Sequence, residues 1–266
     1  NPFHNGHKYL LESAKNVLKE PVIAIMSGSF TQRGEVAVCD KFVRAKSALE
    51  NGADLVLELP VVFSLSGAEG FAKAGVAIAS AFKCTNYLAF GSESGANAVC
   101  DERVQALVRD GMKNGGYYPR ELENAVKTVF GDEISSVLCE PNNILGVEYI
   151  KALNGTGVEP FSVSRTGVAH DSRIAGEGFA SASHIREMLR NGENAKKYAP
   201  YIPDEFTFPE NLDRPLLYRL RTMTREDIAK LPDVGEGLEN RIADAAVRCS
   251  TSSEIADLVK TKRYTH

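Results

Sequence analysis

The order of apolar and polar positions divides the chain into helical stripes that alternate with short unbroken apolar runs. From His7 to Lys19, the residues Leu10, Leu11, Ala14, Val17 and Leu18 make the stripe of an amphipathic helix, which Pro21 stops. Val22–Met26 is continuously apolar, the pattern of a strand buried on both faces of a parallel sheet. A polar loop, Ser27–Glu35, leads to a helix near Asp40–Glu50 that ends at Asn51-Gly52. A second strand, Leu55–Leu59, is closed by Pro60. A helix near Gly67–Phe82 then leads to a third strand, Tyr87–Phe90, ending at Gly91-Ser92-Glu93. Further helices are predicted near Asp101–Lys113 and Arg120–Phe130, and over Pro141–Leu153 with proline at the favoured first position. Glu159–Ser164 reads as a strand, and Ser181–Arg190 as a helix with a serine cap.

Strand and helix patterns in turn are the signature of βαβ units, so residues 1–200 are expected to form an α/β domain with a Rossmann-like parallel sheet. From about Tyr201 onward the pattern is helical with proline-marked breaks: Leu216–Arg221, Arg225–Lys230, Leu238–Arg248 and Ser253–Lys260. Residues 201–266 are therefore expected to be a smaller helical module.

Composition narrows the class. The chain is 43% hydrophobic and 25% charged, ordinary for a globular protein, and no apolar run approaches the roughly 18–20 residues that span a bilayer. No membrane partner is expected. The opening Asn-Pro turn is not a secretory signal. The five cysteines, Cys39, Cys84, Cys100, Cys139 and Cys249, are scattered and odd in number, which points to a reducing cytoplasm and away from disulfides or a zinc site. The net charge of −4 requires any nucleic-acid partner to find a local basic patch, and the candidate is Lys260-Thr261-Lys262-Arg263-Tyr264-Thr265-His266. The chain opens inside a turn that ordinarily follows a strand and stops within a basic string, so it is expected to be an interior portion of a longer protein. Nothing in the pattern bears on oligomeric state.

His4-Asn5-Gly6-His7 carries the strongest chemical signal. It stands at the entrance of a helix, where free N–H groups and the dipole attract anions. Gly6 lacks the Cβ that would keep a phosphate off the backbone. Two imidazoles three residues apart can face one ligand and donate to phosphate oxygens. A zinc pair lacks a third ligand at suitable spacing. In the second string, Ser181-Ala182-Ser183-His184-Ile185-Arg186, the hydroxyls of Ser181 and Ser183 and the guanidinium of Arg186 can meet an anion at a helix start. Taken alone the string reads better as a plain cap with a solvated arginine, and only its pairing with the first motif favours the anion. Lys41 and Arg44 lie one turn apart and suit either an anion or a solvated basic face. Gly91 at a strand end, Asn142 at a helix start and Arg165 after the fourth strand are further nucleotide candidates. Helix capping and a surface salt bridge are the alternatives for the last two.

An early H-x-G-H with a late serine turn ending in Ile-Arg resembles the adenylyltransferase-like superfamily, which implies transfer at the α-phosphate of ATP. Further strings narrow the resemblance: Asn-Pro-Phe-His-Asn-Gly-His, Gln32-Arg33-Gly34-Glu35, Gly52-Ala53-Asp54-Leu55-Val56 with Glu58-Leu59-Pro60, Phe90-Gly91-Ser92-Glu93, Pro141-Asn142-Asn143-Ile144-Leu145-Gly146, Glu236-Gly237-Leu238-Glu239-Asn240-Arg241-Ile242 and Lys260-Thr261-Lys262-Arg263-Tyr264. Together, along the whole chain, they resemble the tRNA(Met) cytidine acetate ligases. Members of that family begin with a hydrophobic strand and a Glu-Tyr pair before this Asn-Pro-Phe, and continue past His266 into more basic sequence.

The resemblance implies a nucleotidyltransferase-type fold and activation of acetate by ATP, with Mg²⁺, as acetyl-adenylate. It also implies acetylation of N4 of the wobble cytidine of elongator methionine tRNA, with no tightly bound cofactor. By it, the ATP site takes Asn1, Pro2, Phe3, His4, Asn5, Gly6, His7, Gly91, Asn142 and Arg165. Ser181 and Ser183 lie beside the phosphates, with His4 and His7 catalytic, and the string containing Lys260, Lys262 and Arg263 meets tRNA. Two other classes share parts of the pattern. A small-molecule adenylyltransferase of cofactor biosynthesis has both phosphate motifs but no need of the helical module, and a non-catalytic nucleotide- or RNA-binding protein has no need of both histidines.

Overall fold

The computed structural model describes residues 1–32, 34–92, 98, 101–115, 118–132, 135, 141–164 and 178–260. The chain divides into two compact units, Asn1–Phe206 and Thr207–His266.

The first unit is α/β. It runs α1 (Asn5–Leu18), β1 (Ile23–Ser27), α2 (Lys41–Glu50), β2 (Leu55–Leu59), a short α3 (Val61–Ser64), α4 (Ala68–Ala81) and β3 (Tyr87–Ser92). There follow α5 (Glu102–Lys113), α6 (Tyr118–Phe130), α7 (Pro141–Leu153), β4 (Glu159–Ser164) and α8 (Ala182–Arg190). β1 pairs in parallel with β2, Ile23 opposite Leu55, and β3 in parallel with β4, Tyr87 opposite Glu159. The described strands thus form two parallel half-sheets. Phe3, Leu11, Ala24, Ala48, Ala53 and Val56 pack α1 and α2 on the first of these. Val76, Leu88, Tyr149, Leu153 and Val158 pack α4 and α7 on the second.

The apolar spacing placed these elements to within a few residues. α3 was not predicted: Pro60 ends the strand, but its fixed φ also suits it to precede a helix, and it occupies the N-cap position. β1 departs from the expectation of burial on both faces, since all five of its residues are only half-buried. The reason is a cavity of about 800 Å³, bordered by Val22–Ser27 on one side and Thr85–Ala89 on the other.

Local chemistry fixes the elements around the site. The Asp54 carboxylate accepts from the Val22 N–H at 2.8 Å and from Lys15 Nζ at 2.9 Å, and Lys15 also donates to the Gly52 carbonyl at 3.1 Å. One carboxylate thereby joins α1 to the starts of β1 and β2. Val22 first and Lys15 second hold its pKa below the ordinary 3.8. The string Gly52-Ala53-Asp54 needs no ligand to explain it, since Gly52 has φ +113° and Ala53 is buried.

The second unit is helical: a 3₁₀ turn at Pro209–Leu212, α9 (Asp213–Thr222), α10 (Arg225–Ala229), α11 (Leu238–Arg248) and α12 (Ser252–Val259). Its core is Leu217, Ala245, Ala246, Cys249 and Ile255, backed by Leu220 and Val259. Gly237 at φ +87° takes the turn that starts α11. Arg241 on α11 donates to the carbonyls of Leu258 and Lys260, each at 3.0 Å, which holds the end of α12. No helix among the described residues is long and apolar enough to cross a membrane.

Candidate active site

The start of α1 is a reciprocal cap built from two imidazoles. His4 is the N-cap, with extended backbone (φ −143°, ψ 172°), and its Nδ1 accepts from the Gly6 N–H at 3.0 Å. In return His7 Nδ1 accepts from the His4 N–H at 3.3 Å. A neutral imidazole that accepts through Nδ1 carries its proton on Nε2, so these bonds assign both rings the tautomer that presents Nε2–H as a donor. The rings lie 4.0 Å apart between centroids, and Phe3 stacks on His7 at 5.5 Å. Gly6 has a reason that the sequence did not give. A Cβ there would lie 2.8 Å from His4 Cε1, so glycine is what lets the ring fold back over the helix start.

Asn5 brings the two halves of the signature together. Its amide donates to the carbonyls of Gly178 at 2.7 Å and Lys197 at 3.1 Å, and its backbone N–H to Tyr198 at 2.9 Å. Tyr9 meets Phe179 edge-on at 6.2 Å. The segment leading into α8 is thereby pinned beside α1. Ser181 caps α8 by accepting from the His184 N–H at 3.1 Å, and its Oγ lies 3.2 Å from that of Ser183. Ile185, fully buried, anchors the helix. Arg186, one turn on, donates to the Asn1 carbonyl at 3.1 Å and faces Glu35 at 3.5 Å. Asn1 Oδ1 accepts from the Val38 N–H at 2.9 Å, which ties the first residue to the loop after β1.

The structure gathers Asn1, Pro2, Phe3, His7, Ser183, Arg186 and Arg44 around the cavity at the end of β1. Arg44 is buried and donates to the carbonyls of Ser27, at 3.1 Å, and Gly28, so it terminates β1 rather than forming a solvated basic face. Burial lowers its pKa. Lys41, its predicted companion, pairs instead with Glu58 at 2.6 Å. Gly91 lies within β3 opposite Val163, two residues beyond Ala89, which borders the cavity. Beside it Ser92, buried, meets Ser162 Oγ at 2.6 Å. Asn142 falls in the first turn of α7, but its side chain lies outside the described residues, as do Arg165, Lys262 and Arg263 entirely. Lys260 is exposed and pairs with Asp257 at 2.8 Å.

Sequence reasoning missed Glu35 as the partner of Arg186, and Tyr149, whose phenol borders the cavity and is pushed by burial up to about 12. Contacts across 151 residues leave no local pattern. The only available hint was the Gln-Arg-Gly-Glu string itself.

Chemically, the corner offers the His7 imidazole, the Ser183 hydroxyl and the Arg186 guanidinium on a partly enclosed apolar floor, with His4 and Ser181 next to them but outside the lining. This is an arrangement for an anionic ligand carrying a flat apolar group.

A family model described as HIGH Nucleotidyl Transferase matches residues 1–266. The tRNA(Met) cytidine acetate ligase of Clostridium tetani is 36% identical over 299 residues, covering 100% of this chain and 74% of that protein. The one from Thermoanaerobacter sp. is 37% identical over 293 residues, covering 100% and 72%. Among solved structures, apo Thermotoga maritima TmcAL superposes with a TM-score of 0.81 at 32% identity, over 99% of this chain and 70% of that one. The same protein bound with alpha-thio ATP gives 0.79 over 99% and 69%, also at 32% identity. With its reciprocal imidazole cap and its serine turn held side by side, the chain belongs to the HIGH nucleotidyl transferases and, among them, to the tRNA(Met) cytidine acetate ligases.

Proposed function

We propose that the chain is a cytoplasmic ATP-dependent ligase that activates acetate as acetyl-adenylate and transfers the acetyl group to N4 of the wobble cytidine of elongator tRNA(Met). The observation that carries this is the His4–His7 cap, in which both Nδ1 atoms serve the backbone and both Nε2–H edges are donors. Two such donors at the positive end of a helix suit a triphosphate. Supporting it, the relatives bear that name, and one was crystallised with an ATP analogue.

In the first step an acetate oxygen attacks the α-phosphorus of Mg-ATP in line. The bond to the bridging oxygen breaks, and pyrophosphate leaves with its electron pair. His4 and His7 donate to phosphate oxygens as charge builds, with Ser181, Ser183 and Arg186 beside them. Asn1, Pro2, Phe3, Asn5 and Gly6 shape this corner, and Asn5 acts by fixing α1 to the serine turn. Gly91, Asn142 and Arg165 complete the nucleotide site in this proposal, and Arg44 supports its floor. In the second step cytidine N4 attacks the acyl carbonyl, AMP leaves, and N4 sheds a proton to the departing phosphate or to solvent. Acyl-adenylate is reactive enough to need no strong base, so excluding water matters more than proton abstraction. The target base must be unstacked to reach it. Residues 1–200 carry this chemistry, while the helical module from 201 to 266, with Lys260, Lys262 and Arg263, meets tRNA.

The test is ATP–pyrophosphate exchange with and without acetate, followed by mass spectrometry of the wobble cytidine after incubation with tRNA, ATP and labelled acetate. Acetate-dependent exchange and acetylcytidine are expected. Exchange that ignores acetate but responds to a phosphorylated cofactor precursor would overturn the proposal.

A further inference from the structure

In the helical unit, α9 carries an outer face that its own fold does not use. Leu217 and Leu220 point to the core. On the other side Arg214, Tyr218 and Thr222 follow one another at four-residue intervals, with Arg219 next to them around the helix. Tyr218 is 72% exposed, an unusual place for an aromatic ring, whose area ordinarily goes into a core or an interface.

Within α9 itself the charges are one-sided, with Glu210 four residues before Arg214 in the preceding 3₁₀ turn. Asp213 is the only carboxylate of α9, and it is withdrawn by Ser252, accepting from its N–H at 2.8 Å and its hydroxyl at 2.6 Å. The other arginine of the helix, Arg221, is committed to the carbonyls of Ala246 and Cys249, both at 2.7 Å. Elsewhere in the unit Arg225 pairs with Asp244 at 2.7 Å, and Arg241 holds α12. The guanidinium groups of Arg214 and Arg219 make no ion pair or hydrogen bond among the described residues, and Arg219 bonds only through its backbone, its carbonyl accepting from the Thr222 hydroxyl at 3.0 Å. Two guanidinium groups with no ion pair among the described residues therefore flank an exposed aromatic ring, on a chain whose net charge is −4.

A partner that presents regularly spaced negative charge together with flat apolar rings fits this face: single-stranded nucleic acid, with a base stacked on Tyr218 and phosphates on Arg214 and Arg219. We propose that the outer face of α9 is a contact surface for unpaired RNA nucleotides. This rests on the tRNA reading above but adds residues outside the basic string that begins at Lys260.

The test uses the whole chain and a fluorescein-labelled, ten-nucleotide cytidine-rich single-stranded RNA, with an RNA duplex of equal length as the comparison. Binding is followed by anisotropy across a salt series. Tyr218→Ala is expected to raise Kd for the single strand by about tenfold, Tyr218→Phe to restore it, and the duplex to respond little. Arg214→Ala and Arg219→Ala are each expected to reduce the slope of log Kd against log salt by about 0.7. All four variants should keep the parental melting temperature and ATP–pyrophosphate exchange, since none of these side chains supports the core or the ATP corner. Parental binding by Tyr218→Ala, an unchanged salt slope in both arginine variants, or a loss only of self-association would overturn the proposal. If the parent chain lacked exchange altogether, the ligase reading would fall while the RNA titration still decided this one.

Discussion

The helices α1 and α12 begin with the same reciprocal geometry built from different residues. At α12, Thr251 accepts from the Glu254 N–H at 3.2 Å while the Glu254 carboxylate accepts from the Thr251 N–H at 3.3 Å, the residue pair that serves a helix start best. At α1 the same two positions hold His4 and His7, and a glycine is required between them to make room for the first ring. Imidazole is not among the favoured caps. A chain that can build the ordinary box at α12 has therefore given up some capping strength at α1 for something that threonine and glutamate lack. That property is a pair of N–H donors. Glutamate at the third position would also repel the anion that the helix start attracts.

The sharpest way to break this comparison is to convert one box into the other. His4→Ser with His7→Glu should leave the protein folded, with α1 as well capped as α12. Acetate-dependent ATP–pyrophosphate exchange should fall by roughly 10²- to 10³-fold, the loss typical of removing donors to a developing oxyanion. Exchange near the parental rate would reduce the histidines to caps. Gly6→Ala should be next in size. Alanine ordinarily favours a helix by about 1 kcal/mol over glycine. Here its Cβ displaces the His4 ring, and exchange should drop by roughly tenfold to a hundredfold. A gain in both stability and activity would contradict the role given to Gly6. Thr251→Ala should cost about 1 kcal/mol of stability in chemical denaturation and leave exchange untouched, as expected of a box that only caps.

The smallest effect concerns the link that holds α1 in place. Because the folded-state pKa of Asp54 is depressed, its contribution is complete above the unfolded value near 3.8 and fades as pH falls toward the folded value. Asp54→Asn should lower stability by a constant amount above about pH 4 and so flatten the acid limb of the stability–pH curve, leaving the shape of its alkaline side unchanged. An unchanged acid limb would show that the link to Val22 and Lys15 does not matter.

Much of the fold was legible because it is written locally. The stripe from Leu10 to Leu18, the run Val22–Met26 and the cap Ser181 each specify an element by spacing or by a single side chain. The exposure of β1 was not legible, because a run of five apolar residues reads the same whether its neighbour is a strand or a cavity.

At the candidate site, His4, His7 and the serine turn could be named from residue type and position. Their meeting could not, since it depends on Asn5 reaching Gly178 and Arg186 reaching Asn1 across more than 170 residues. Arg44 and Lys41 show the limit from the other side. They are equivalent in spacing, yet one terminates a strand from within and the other pairs with Glu58. Only the packing of α2 on β1 and β2 separates them.

The most direct measurement is a crystal structure of the chain soaked with an ATP analogue. The account predicts triphosphate oxygens about 3 Å from Nε2 of both His4 and His7, with the two Nδ1 cap bonds intact. A nucleotide bound elsewhere, or one that leaves both Nε2 atoms on water with the rings unmoved, would contradict it.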